Sequence, residues 1–179
     1  MENESLRHIQ QVSAKFRLLF NALMFSIPVL ILLYWLFFNE LPIGFKSELP
    51  VTANQVLPLS ALWLGILVSF IPAGVVIFGI TTLMELFKLY ENAIFFSTKN
   101  VKCFRRLGYS LISWTFANMM FTTLISLVIS FNNPAGQRMI SFGFDIADIA
   151  NLIIGAVVVV VSWVMNEASR LEDEQAYTV

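Results

Sequence analysis

Four long apolar runs alternate with short polar segments along this chain. The runs cover residues 18–38, 59–84, 107–131 and 146–165. At a rise of 1.5 Å per residue, each run is long enough as a helix to cross roughly 30 Å of hydrocarbon. A helix also satisfies its own backbone hydrogen bonds, which lipid cannot do. The pattern therefore predicts an all-α integral membrane protein, with four transmembrane helices packed as two antiparallel hairpins in a single domain over residues 18–166.

Residues 1–17 precede the first run, and their apolar side chains recur every three or four positions. A helix places such side chains on one face. Cations and amides fill most other positions, so the segment predicts a cytosolic amphipathic helix that lies along the membrane surface, apolar side down. A plain extension of the first transmembrane helix is the alternative. The apolar side chains are Leu6, Ile9, Val12 and Phe16.

Two segments between the runs have the composition of loops. Residues 39–58 contain three prolines and few cations, which predicts an irregular external loop. Residues 132–136, Asn-Asn-Pro-Ala-Gly, are a turn signal that opens a second external loop. Asp145 and Asp148 follow at the expected start of the fourth helix, at the outer edge of the membrane, where carboxylates complement the helix dipole.

A charged connector, residues 85–106, separates the two hairpins and predicts a helical cytosolic segment. Counted with residues 1–17 and the acidic tail, residues 167–179, it brings nine cations to one side of the membrane, against two on the other. The positive-inside rule then places both termini in the cytosol. The connector's five cations are Lys88, Lys99, Lys102, Arg105 and Arg106, and the two external ones are Lys46 and Arg138.

Composition supports a membrane protein without catalytic chemistry. Hydrophobic residues make up 58% of the chain and charged residues 13%, and the net charge of −1 leaves no broad basic surface for direct nucleic-acid contact. A single histidine, His8, and a single cysteine, Cys103, give no metal-ligand set. No serine–histidine constellation appears, and Asp145 and Asp148 have no partner carboxylate on a second helix. We therefore expect no enzymatic activity, no metal and no cofactor.

A polar stripe runs along the third predicted span. Its residues recur every three or four positions and so share one helix face. Such residues form hydrogen bonds between packed helices, or line a pathway through the membrane. We favour packing because no ionisable residue falls in the central part of any span; a small oligomeric transporter or channel is the alternative. The stripe consists of Thr115, Asn118, Thr122 and Ser126.

The connector and the tail carry the residues of a resemblance. They read Leu89-Tyr90-Glu91-Asn92, Phe96-Ser97-x-x-Asn100-Val101, Arg105-x-x-Gly108 and, at the end, Glu167-Ala168-x-x-Leu171-x-x-Glu174-Gln175-x-x-Thr178-Val179. In these residues the chain resembles the bacterial membrane proteins called domain of unknown function 2975. The resemblance implies a four-span protein of the bacterial inner membrane with no established activity. It also implies a possible soluble partner, because members are often encoded beside a small helix-turn-helix regulator.

The resemblance and the shared cytosolic side predict a built surface near the connector. We expect a hydrogen-bonded cluster of Glu91, Asn92, Ser97, Asn100, Arg105 and Glu167, with Ser97 as the N-cap of the helix that enters the third span. We expect anionic membrane lipids to contact Lys99, Lys102, Arg105 and Arg106. The predicted function is a non-enzymatic inner-membrane module that presents a cytosolic docking or sensing surface. The prediction leaves open that the module is a homo-oligomer.

Overall fold

The computed structural model of the protein describes residues 2–46, 49–51, 55–94, 97–134 and 136–176. Within them all regular secondary structure is helical, as predicted. The helices are α1 (Glu2–Leu36), a 3-10 turn (Phe38–Glu40), α2 (Ile43–Lys46), α3 (Leu59–Glu91), α4 (Thr98–Phe131) and α5 (Ile146–Ala176). The four longest, α1, α3, α4 and α5, are long and apolar enough to cross a membrane, in agreement with the four predicted spans.

The four long helices pack in an open row. Helix α1 packs on α3, α3 on α4, and α4 on α5, while no packing of similar extent joins α1 to α5 among the described residues. The row is therefore not a closed four-helix bundle. We call the end where residues 92–97 join α3 to α4 the connector end. The opposite end, where α1 ends at Leu36, α3 begins at Leu59 and α4 ends at Phe131, is the loop end.

Glycines allow two of the helices to approach closely. A Cβ on Gly108 of α4 would lie 2.8 Å from the carbonyl oxygen of Gly155 on α5, and a Cβ on Gly155 would lie 2.9 Å from that of Gly108. Such distances are shorter than atoms tolerate, so only glycine fits at either position. Small residues commonly permit this kind of close backbone contact between membrane helices.

The N-terminal segment does not lie along a membrane surface as a separate helix. Helix α1 runs without a break from Glu2 to Leu36, which agrees with the extension alternative rather than with a separate surface helix. Contacts with the end of α3 hold the extension in line. Arg17 forms an ion pair with the Glu91 carboxylate at 3.0 Å, and the Gln10 amide donates a hydrogen bond of 2.9 Å to the Glu91 carbonyl oxygen.

The first loop is folded rather than irregular, which corrects the prediction for residues 39–58. The Asn39 side chain donates to the carbonyl oxygen of Leu57 and accepts from its N–H, each at 3.0 Å. Phe38 and Leu57 are buried together with Trp35 in the main hydrophobic core. The prolines indicated a break from helix, but they could not indicate that the loop would pack back on the helix ends.

Candidate functional site

The turn at the connector end has a defined geometry. Helix α3 ends in a Schellman motif, in which the Ile94 N–H donates to the Leu89 carbonyl oxygen at 3.0 Å. Ala93 occupies the left-handed position of this motif with φ +58°, where glycine is usual. The motif turns the chain sharply and fixes the position of the Ile94 carbonyl group.

Asn100 holds this turn from the next helix. Its fully buried side chain donates to the Ile94 carbonyl oxygen at 3.0 Å and accepts from the Ser97 hydroxyl at 2.6 Å. The Ser97 hydroxyl oxygen in turn accepts from the Asn100 N–H, which confirms Ser97 as the N-cap of α4. Tyr90, on α3, also forms a side-chain hydrogen bond with Asn100. The turn and the ends of both helices are therefore joined by one buried asparagine.

Two ion pairs connect neighbouring helices at the same end. Arg17 of α1 contacts Glu91 of α3 at 3.0 Å, and Arg106 of α4 contacts Glu85 of α3 at 2.9 Å. The Glu91 side chain is only 18% exposed, whereas Glu85 and Arg106 are both more than half exposed. The Arg17–Glu91 pair is therefore the better shielded of the two.

The predicted six-residue cluster is assembled only in part. Ser97 and Asn100 meet as expected, but Glu91 contacts Arg17 of α1, a residue outside the prediction. The other three point elsewhere. The Asn92 amide donates to the Lys88 carbonyl oxygen of its own helix, Arg105 is exposed, and Glu167 forms an ion pair with Arg170 one turn along α5. The single six-residue network was wrong because each of these side chains finds a nearer partner or faces outward.

The four cations proposed for lipid contact all lie exposed on the first turns of α4. They are Lys99, Lys102, Arg105 and Arg106. Arg106 is engaged by Glu85, while the other three form no ion pair with any described residue. The folded turn therefore carries a group of exposed positive charges, which we call the basic face.

The predicted polar stripe binds a segment of the same chain. The Met139 N–H donates to the Ser130 hydroxyl oxygen at 2.7 Å, and the Ser141 N–H donates to the Ser126 hydroxyl oxygen at 3.1 Å. Four helical residues rise about 6 Å, which is close to the length of two extended residues. Residues 137–145, which we call the strap, are thus extended alongside α4, with alternate residues meeting successive turns.

Further down α4 the strap continues in the same register. Gly143 lies against Thr122, where a Cβ would come within 2.7 Å of the threonine side chain. Thr115 then donates to the carbonyl oxygen of Asp148 at 3.4 Å. Asn118, which lies between Thr115 and Thr122 on α4, is half-buried and makes no hydrogen bond to another described residue. Three of the four stripe residues therefore contact the strap or α5; we call Thr115, Thr122, Ser126 and Ser130 the polar track.

The two aspartates start α5 as predicted, but at a different depth. The Asp145 N–H donates to the Asp148 carboxylate and the Asp148 N–H to the Asp145 carboxylate, at 3.1 and 3.0 Å, a reciprocal cap. Asp148 is 3% exposed and lies beside Thr115, about 24 Å along α4 from Phe131 at a rise of 1.5 Å per residue. Helix α5 therefore begins level with the middle of α4, with Asp148 in the first turn of its own candidate membrane span, Ile146–Ala168.

Sequence reasoning missed three parts of these sites, two of which had weak signals. Ser130 continues the stripe four positions beyond Ser126. In the strap, Ser141 and Gly143 alternate with the large apolar Phe142 and Phe144, the period-two pattern of an extended segment with two different sides. The Arg17–Glu91 contact had no signal, because it joins residues distant in sequence.

These features define a class: a membrane protein of long apolar helices whose connector end is closed by a buried polar network under a basic face. The chain belongs to the family described as Protein of unknown function (DUF2975), which matches residues 43–179. This confirms the resemblance. No curated protein and no solved structure matches the chain.

Proposed function

We propose that the protein is a non-enzymatic module of the bacterial inner membrane whose connector end faces the cytosol and docks a soluble protein. The observation that carries this proposal is the combination of a locked turn and unpaired exposed cations. Asn100 fixes the turn and the start of α4. Lys99, Lys102 and Arg105 therefore project from a fixed helix end and not from a free loop. Preorganised charges bind a partner without the entropy cost of ordering a loop.

The orientation is supported by the distribution of cations along the helices. The connector end carries the basic face, the N-terminal half of α1 and the C-terminal ends of α3 and α5, and nine of the chain's eleven cations belong to these segments. Lys46 and Arg138 belong to the loop end. Under the positive-inside rule, a difference of this size supports a cytosolic connector end and two cytosolic termini.

The partner we propose is a small helix-turn-helix regulator, the class that the family resemblance suggests. An acidic surface on that regulator would meet the basic face, and its DNA-binding surface would stay free for DNA. The protein itself makes no direct nucleic-acid contact in this proposal. Charged surfaces of this kind chiefly set association rate and specificity.

Transport through the third-span stripe receives less support from the geometry. A pathway needs polar side chains that face a water-filled space, but Ser126 and Ser130 bind strap N–H groups and Thr122 packs on Gly143. These contacts favour a packing role for the stripe over a transport pathway.

The proposal is tested by photo-crosslinking in intact cells. A photoreactive amino acid replaces Lys102 on the basic face, and a matched control replaces Phe45, an exposed residue at the loop end. We expect a soluble protein adduct at Lys102 and none at Phe45, and we expect the adduct to weaken when Lys99 and Arg105 are changed to glutamine. Only lipid adducts at Lys102, or the same protein adduct at Phe45, would contradict the proposal.

A further inference from the structure

Arg138 is held in a fixed position where α4 ends. Its Nε–H donates to the Asn133 carbonyl oxygen at 3.3 Å, and its guanidinium carbon lies 6.0 Å from the centre of the Phe131 ring. Asn133 is itself buried, with 4% exposure. The bond uses only one edge of the guanidinium group, and the terminal nitrogens have no partner among the described residues. Two parallel N–H donors therefore remain available in a defined place.

An apolar cavity adjoins Arg138. It has a volume of about 200 Å³, and Arg138 is one of its lining residues. The Ser130 hydroxyl, the other polar group in the lining, already accepts the Met139 N–H. The remaining walls are hydrocarbon, contributed by Leu127, Phe131, Met139 and Ile140. A ligand for this site therefore needs one anionic group beside one apolar chain.

The position of the site in the helix row indicates what such a ligand is. The apolar stretch of α4 ends at Phe131, so the guanidinium group stands where hydrocarbon gives way to headgroups. The cavity below it is lined by residues of the same apolar stretch and of the strap. Arginine binds phosphate with two parallel hydrogen bonds, and this geometry requires free terminal nitrogens.

We propose that the protein binds an anionic membrane phospholipid here, with the phosphate on the terminal nitrogens of Arg138 and the first part of an acyl chain in the adjoining cavity. This site is at the opposite end from the basic face. It does not depend on the docking proposal, and it differs from general attraction of lipid to clustered cations because only one arginine takes part.

The test uses the purified full-length protein in a neutral detergent. Native mass spectrometry measures the retention of dioctanoyl phosphatidylglycerol, with dioctanoylglycerol and inorganic phosphate as comparison ligands. We expect the phospholipid to bind, the uncharged diacylglycerol to bind far more weakly, and millimolar inorganic phosphate not to displace the phospholipid. Competition by inorganic phosphate would overturn the proposal in favour of a simple anion site.

Variants separate the two halves of the site. R138Q should weaken phospholipid retention by roughly tenfold, because a hydrogen bond to a charged group is lost. Ile140→Asn should also weaken retention, although it leaves the guanidinium group in place. K46Q is the matched control, since Lys46 is the other cation at the loop end, and it should retain the lipid like the unchanged protein. Equal retention by R138Q, or loss in K46Q as large as in R138Q, would contradict the proposal.

Discussion

The two ends of this protein are held together by different interactions. At the loop end, Trp35, Phe38 and Leu57 are buried with the ends of the long helices, and the Trp35 and Phe38 rings stack with centroids 5.1 Å apart. At the connector end, one buried asparagine and two ion pairs join the helices. The loop end has the larger buried core, whereas the connector end adds a buried asparagine and ion pairs to the ring contacts of Phe87 with Phe16 and Phe20.

This difference suggests a division of roles. Close packing of large side chains changes little with conditions, because it depends on shape and dispersion. The exposed cations and the exposed Glu85–Arg106 ion pair, by contrast, are screened by salt and are open to a charged partner. The docking proposal accordingly uses the connector end, where the exposed charges lie.

The largest expected effect tests the loop-end core. Trp35 is 1% exposed, lies against Gly65 and donates to the Ser69 hydroxyl oxygen at 2.8 Å. Trp35→Ala should lower the free energy of unfolding by about 3–5 kcal/mol, because it leaves a large cavity. Unfolding in mixed micelles of detergent and SDS measures it. Trp63→Ala is the control at a 54% exposed position and should cost far less; equal losses would remove the case for a specific core.

The next effect tests the connector-end network. Asn100→Ala removes the partner of the Ile94 carbonyl group and of the Ser97 hydroxyl. The expected loss is about 1–3 kcal/mol in the free energy of unfolding, the cost of leaving a buried polar group unpaired. The same mixed-micelle unfolding measures it, and hydrogen exchange should speed up at Ala93 and Ile94. Asn92→Ala, on an exposed side chain, is the control; if it matches Asn100→Ala, the network is not what holds the turn.

The smallest effect tests the polar track that connects the two ends along α4. Ser126→Ala deprives the Ser141 N–H of its acceptor. The expected cost is about 0.6–2 kcal/mol, typical of hydrogen bonds between membrane segments. Thr123→Ala serves as control, because the Thr123 hydroxyl only donates to the Met119 carbonyl oxygen of its own helix. A change in solute uptake by vesicles containing the Ser126 variant, with no loss of stability, would favour a transport pathway over packing.

Much of the helical framework could be predicted from composition along the chain. The four spans, the N-cap at Ser97 and the start of α5 near Asp145 all follow from local patterns, and the structure has them. The helices run past the predicted spans, with α3 reaching Glu91 and α5 reaching Ala176; residues 177–179 of the predicted tail lie outside the described part. Local sequence marks where lipid contact ends, but a helix continues as long as its own hydrogen bonds and neighbours support it.

The candidate site was less predictable than the framework. Asn100, Ser97 and Glu91 were selected correctly as structured residues, but Arg17 as the partner of Glu91 was not foreseen. A carboxylate near the end of one helix can pair with any cation at the same level, and only helix packing decides which one lies there. Arg105 and Glu167 show the converse, since a shared side of the membrane does not bring side chains into contact.

The sequence by itself determined that this chain crosses the membrane with helices, because lipid leaves a buried backbone no other way to satisfy its hydrogen bonds. It also determined that α4 carries a row of hydroxyl groups on one face. Only the tertiary structure decided that these hydroxyls bind the strap, and that α5 begins beside Thr115. A hydroxyl bonds equally well to its own helix, to a neighbour or to water, so its partner depends on which segment packs against it.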